Sequence, residues 1–190
     1  MTLQILVFLL LATTPTGTDD YCGNFPEPGF DDPAMSRFVR WYSNPTYHFS
    51  VRVPKGLVGH SSPPPLPQHG FGIVLSWTPR AYIYFDGSYN AADEGNTTEI
   101  ASTRLRWLRD SSLKILSTQR QHTHLGPLSA RRFVARHTCP KVRGVFVEDT
   151  TIALSRGIIY TVSLLTTDER YQRDRRIMNE MLKTWRLSNR

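Results

Sequence analysis

Few residues in this chain are of types that do chemistry, and their spacing mostly argues against it. Six histidines are present. His122-Thr123-His124 puts two imidazoles on one face of a strand, an arrangement that a transition-metal site uses. No Cys, Asp or Glu beside them completes a ligand set, and the pair sits just before a Gly126-Pro127 turn, where solvated histidines are common. His60 and His69 flank a proline-rich loop and read as loop residues. His137 stands close to Cys139 and reads as packing beside it. No metal and no cofactor is expected.

The carboxylates are equally unsupported. Asp86, Asp93 and Glu94 gather around Gly87 and Gly95 in the segment after a strand. Two acids in a loop suit general acid–base chemistry or calcium, but the spacing fits no calcium loop. Acids are also favoured where a helix begins. There is no Gly-x-Ser-x-Gly elbow for a nucleophilic serine. His69-Gly70-Phe71-Gly72 runs into a strand, whereas a phosphate-cradling loop opens a helix. Asn96-Thr97-Thr98 has the N-glycosylation pattern, which a capping role explains equally well. No catalytic residue is assigned. The competing enzyme reading is a secreted hydrolase of cell-wall or other anionic polymer, carried by Asp86 or His122.

Charge is the stronger signal. The net charge is +7, and Arg104 to Arg143 holds ten Lys/Arg against the single acid Asp110. Arg104, Arg106, Arg109, Arg131, Arg132, Arg136, Lys141 and Arg143 are the candidate surface for an anionic partner, the alternative being a solvated face that only keeps the protein soluble. That partner is another protein, with anionic lipid or cell-wall polymer as alternatives. No zinc spacing or aromatic–basic signature marks nucleic acid, which is not expected.

These residues must be positioned by the elements around them. Tyr47 to Val53 alternates apolar and polar residues as a half-buried strand ended by Pro54-Lys55-Gly56. Phe71 to Trp77 and Ala81 to Phe85 are two more, divided by Thr78-Pro79-Arg80. Asn96-Thr97-Thr98-Glu99 has the form of a capping box. It opens a helix whose Ile100, Ala101, Leu105, Trp107 and Leu108 form an apolar stripe. Strands then follow closely: Leu113 to Gln121 paired with Leu128 to His137, Gly144 to Val147, Thr151 to Leu154, and Ile158 to Leu165. Such tight spacing implies an antiparallel meander. A second capping box, Thr166-Thr167-Asp168-Glu169, introduces a final helix with Tyr171, Met178, Met181, Leu182 and Trp185 on one face.

At the other end, Leu3 to Ala12 is an apolar run of signal-peptide length, followed by small residues. Residues 1–18 read as an export signal and 19–46 as a Pro/Gly-rich arm, in which Asp32-Pro33 starts a helical turn reaching Val39. Residues 47–190 form a single α+β domain. Cys22 and Cys139, the two cysteines, make one candidate disulfide in an oxidising compartment, tying the arm to the body.

The order of elements resembles the PsbP-like fold, that of the oxygen-evolving-complex accessory protein and of several bacterial envelope proteins. The resemblance rests on Tyr47-His48-Phe49-Ser50-Val51-Arg52-Val53-Pro54-Lys55-Gly56 as opening strand and exit. To this add Leu125-Gly126-Pro127-Leu128-Ser129-Ala130-Arg131-Arg132 before a strand. The third part is Ile158 to Leu164, leading to Met178 through Trp185. It implies an antiparallel sheet flanked by helices, an α/β/α sandwich, and a non-catalytic protein that works through protein contacts. The expectation is therefore an exported, non-enzymatic binding protein of the cell envelope, in its sharpest form an inhibitor or immunity-type protein.

Overall fold

A computed structural model describes residues 35–61, 69–111, 113–140 and 142–188. Its frame is an antiparallel sheet of eight strands. In chain order these are β1 (Ser36–Phe38), β4 (Gly59–Ser61), β5 (Gly70–Trp77), β6 (Arg80–Tyr89), β7 (Lys114–Leu125), β8 (Leu128–Thr138), β9 (Val145–Ser155) and β10 (Ile158–Thr167). Their spatial order is β1-β4-β5-β6-β10-β9-β8-β7. A second sheet of three strands is ordered β11 (Arg186–Leu187), β3 (Phe49–Arg52), β2 (Trp41–Asn44). Helices α1 (Thr97–Asp110) and α2 (Tyr171–Leu182) complete the described elements.

Strand alternation divides the large sheet into two apolar faces. On one, Phe71, Ile73, Ile83, Phe85, Val147, Val162 and Leu164 pack against Phe49 and Val51 of the small sheet, Met178 and Met181 of α2, and Trp185. On the other, Phe133, Ala135, Ile152 and Ile159 receive Ile100, Ala101, Leu105 and Leu108 of α1. The layers are α1, the large sheet, then the small sheet with α2. The expected antiparallel sheet with helices on both faces is what forms.

Local chemistry accounts for the joints. Asn96 Oδ1 accepts from the backbone N–H of Thr98 and Glu99, and Glu99 Oε2 accepts from Gly95 N at 3.0 Å, so α1 begins at the expected capping box. Asn44 Oδ1 accepts from Thr46 N and Tyr47 N, both at 3.0 Å, and turns β2 into β3. Gly126 holds φ +54 in the turn between β7 and β8, a conformation glycine adopts without steric cost.

Four expectations change. Gly144 to Val147 and Thr151 to Leu154 are not two strands: β9 is continuous, and Glu148, Asp149 and Thr150 inside it are all buried. Three polar residues in a row mimic a turn, yet here each pairs across to β8 and β10. The second capping box does not exist. Thr166 and Thr167 extend β10 opposite Val147 and Phe146, and α2 starts after Arg170 without a side-chain cap. The hydroxyl of Thr166 instead donates to buried Asp174 at 2.6 Å. The turn expected to run to Val39 contains strand β1, paired with β4. Residues 41–44 of the expected arm are strand β2 of the small sheet.

Candidate functional site

The eight expected basic residues do not form one surface. Arg131 and Arg132 are neighbours in β8 and therefore point to opposite faces. On the α1 side, Arg131 Nε donates to Thr98 Oγ1 at 2.9 Å, and its guanidinium abuts His122 Nε2. Arg104 lies over the Trp107 ring, 4.8 Å from its centroid, while Arg106 and Arg109 are exposed. On the α2 side, Arg132 grips buried Asp149 with Nε and Nη2 at 2.6 and 2.7 Å. Arg136 pairs with Asp168 at 2.8 Å and lies over the Tyr171 ring. Arg143 is exposed, and Lys141 lies outside the described residues. Arg132 in particular is a structural ion pair: its charge is matched internally.

The histidine and carboxylate candidates are also dispersed. His122 faces the cation of Arg131, where a metal ligand would need to face the metal. Asp93 and Glu94 belong to a loop closed by Asn90, whose side chain donates to Glu94 O at 2.8 Å and accepts from Glu94 N at 3.1 Å. Asp86 is on β6, away from that loop, and accepts a hydrogen bond from the Tyr84 hydroxyl at 3.3 Å. Burial raises its pKa above the ordinary value, partly offset by His69. His69 Nδ1 is shared between the Tyr47 hydroxyl and Gly87 O, at 3.1 and 3.2 Å. His137 is fully buried and stacks on Phe146, with burial pushing it down to about 4. Cys139 is not a free thiol, and Cys22 lies outside the described residues.

Among the described residues, a concave site lies elsewhere, on the outer side of the small sheet. A groove of about 540 Å³ is lined by Val39, Arg40, Trp41, Arg52, Val53 and the Pro54–Val58 loop. Trp41 and Arg52 are register partners across β2 and β3. Tyr42 and Val51, next to them, point inward to the core. Outward, Trp41 is 51% exposed, Val39 58% and Val58 39%, an apolar cluster in water. Arg40, Arg52 and Lys55 surround it, and no carboxylate lines it. Glu180 borders the adjoining depression with Arg52 and Lys55, but neither cation forms an ion pair among the described residues.

Arg40 stands in the left-handed region at φ 71, which costs a non-glycine residue about 1 kcal/mol. Two backbone bonds hold it there: Val53 N donates to Arg40 O at 2.7 Å, and Trp41 N donates to Val39 O at 3.0 Å. The strained backbone thus sits beside an exposed Trp and three cations that have no ion-pair partner among the described residues. Sequence reasoning missed it because residues 19–46 read as an arm and Pro54-Lys55-Gly56 as a strand exit. The signal present was Val39-Arg40-Trp41, an apolar and aromatic pair flanking a cation next to an alternating strand.

No family model matches the sequence, and no curated protein matches it. Among solved structures, it is similar to cyanobacterial PsbP (CyanoP) from Synechocystis sp. PCC 6803, with TM-score 0.51 and 13% identity, covering 87% of this chain and 98% of that one. LpqN, involved in cell envelope biogenesis of Mycobacterium tuberculosis, matches with TM-score 0.46 and 10% identity over 84% of this chain and 95% of that one. With its eight-stranded antiparallel sheet between α1 and the α2 layer, the chain has a PsbP-like fold.

Proposed function

We propose that this chain is an exported, non-catalytic binding protein of the cell envelope that holds a partner protein in the groove around Trp41. One observation carries the reading: a half-exposed Trp, with Val39 and Val58 beside it, sits in a concave site whose charged residues are all cations. A buried aromatic anchor inside a polar rim is how protein interfaces obtain most of their energy. Export is supported by the apolar run Leu3 to Ala12 and the small residues after it. The finer form is an inhibitor or immunity-type protein, in which the groove blocks a partner's own working surface.

The test is capture from the native envelope at physiological ionic strength, comparing the wild-type chain with Trp41→Ser. Trp41 is outside the core, so the variant keeps its fold. The expected result is one stoichiometric protein retained by the wild type and lost by the variant. Equal retention by both, or retention of polymer alone, overturns the reading.

A further inference from the structure

We propose that the groove takes an extended, acidic peptide segment of the partner, with one apolar side chain against Trp41 and carboxylates on Arg40, Arg52 and Lys55. The inference rests on the binding-protein reading above and names the ligand class. Two independent features of the site point to it.

The first is charge. Each of the three cations is without an ion-pair partner among the described residues, and the lining holds no acid to neutralise them. Like charges gathered around a low-dielectric apolar floor repel one another, and a ligand bringing carboxylates relieves that repulsion. The second is backbone. Among the described residues β2 is the terminal strand of the small sheet, paired to β3 on one side only. Apart from Trp41 N, which donates to Val39 O, the main-chain groups on its outer edge have no strand partner among the described residues. An extended peptide uses such an edge, placing alternate side chains into the neighbouring pocket. A bilayer cannot use it, and membrane-anchoring residues project outward from a convex surface, whereas here the apolar cluster lines a concavity. Both features favour peptide over lipid.

The experiment measures fluorescence anisotropy of a labelled Asp-Glu-Val-Phe-Val-Glu-Asp peptide against the full chain. Its counterpart, Lys-Lys-Val-Phe-Val-Lys-Lys, and phosphatidylglycerol vesicles are the comparisons. The acidic peptide is expected to bind saturably and the basic one about tenfold or more weakly, with affinity falling as salt rises. Lys55→Glu and Arg40→Gly each weaken binding about tenfold. Arg40→Gly is the more telling variant, because glycine is at ease at φ 71 and the melting temperature should hold or rise as affinity falls. Equal binding of both peptides, no saturable binding, or unchanged affinity in both variants overturns the proposal. Vesicle binding lost in the same variants, with no peptide binding, overturns it in favour of a lipid surface. If the peptides fail while envelope capture still depends on Trp41, the acidic-segment inference falls and the binding reading stands. If capture fails too, both fall.

Discussion

Asp149 and Arg132 lie on one face of adjacent strands and meet as a two-pronged pair, Nε to Oδ1 at 2.6 Å and Nη2 to Oδ2 at 2.7 Å. Arg175 adds a third contact to Oδ2 at 3.1 Å, and the Tyr171 hydroxyl donates to the same oxygen at 2.9 Å. This cluster ties α2 to the large sheet. Asp149→Asn leaves two guanidiniums facing each other out of water, and is expected to cost about 3–5 kcal/mol in urea unfolding. Arg136→Ala breaks the more exposed pair with Asp168 and the contact with the Tyr171 ring, and should cost about 1–2 kcal/mol. Similar losses in the two variants would contradict this account.

A second prediction concerns pH. Burial pushes the Glu148 carboxyl up to about 8 from 4.5, with Arg104 pulling the other way, and pushes His137 down to about 4 from 6.5. Between about 4.5 and 6.5 the folded chain keeps a Glu148 proton that the unfolded chain releases, and lacks a His137 proton that the unfolded chain binds. The two slopes oppose each other. From 6.5 to 8 only Glu148 still differs between the states, so stability falls as pH rises, by at most about 1.4 kcal/mol per unit. Thermal melts at pH 6.5 and pH 8 test this. Glu148→Gln should recover the loss at pH 8 and leave the melt at pH 4 nearly unchanged. A parent chain more stable at pH 8 than at 6.5 sinks the idea.

Asn96→Ala removes both acceptor bonds at the start of α1. The expected cost is about 1 kcal/mol, with amide exchange speeding up first at Glu99 and Ile100. Unchanged exchange there would mean the cap is dispensable.

Gly126→Ala combines two faults. The new side chain would sit at φ +54, with its Cβ 2.8 Å from the Trp185 ring. A loss of about 2 kcal/mol or more is expected, along with a changed Trp emission spectrum, because Trp185 must shift. A neutral substitution would show that the turn and Trp185 are not coupled.

Pairing of Cys22 with Cys139 predicts that the oxidised, unfolded protein takes up no maleimide until it is reduced. Joining residues so distant in the chain stabilises by on the order of 4 kcal/mol in the chain-entropy view. Cys139→Ser should lower the urea midpoint by a matching amount. Labelling of two thiols before reduction would rule the bridge out.

The local signals that proved legible share one property: the chemistry is complete within a few residues. Asn96 and Glu99 satisfy neighbouring N–H groups, so the start of α1 was readable. The apolar spacing of Met178 and Met181, the alternation in β3, and the Gly126 turn were readable for the same reason, whereas Trp185, expected on that helix, lies beyond its end at Leu182. Where a polar residue's partner comes from far along the chain, the reading failed. Glu148-Asp149-Thr150 looked like a turn because the partners of Asp149 are Arg132, Tyr171 and Arg175. Thr166 looked like a cap because its partner, Asp174, is eight residues further on, inside α2.

The candidate site shows the same division. Composition and periodicity alone determined an α+β domain with a basic balance, because hydrophobic period and net charge are sums over local residues. Whether the cations act together was decided by the tertiary structure. Alternation sent Arg131 and Arg132 to opposite faces, and Asp149 neutralised one of them. Pairing of β2 with β3 set Trp41 opposite Arg52, and the Arg40 carbonyl bond to Val53 drew Lys55 and Val58 to the same groove. A charge matters through what lies within a few ångströms of it, and only the folded chain sets those distances.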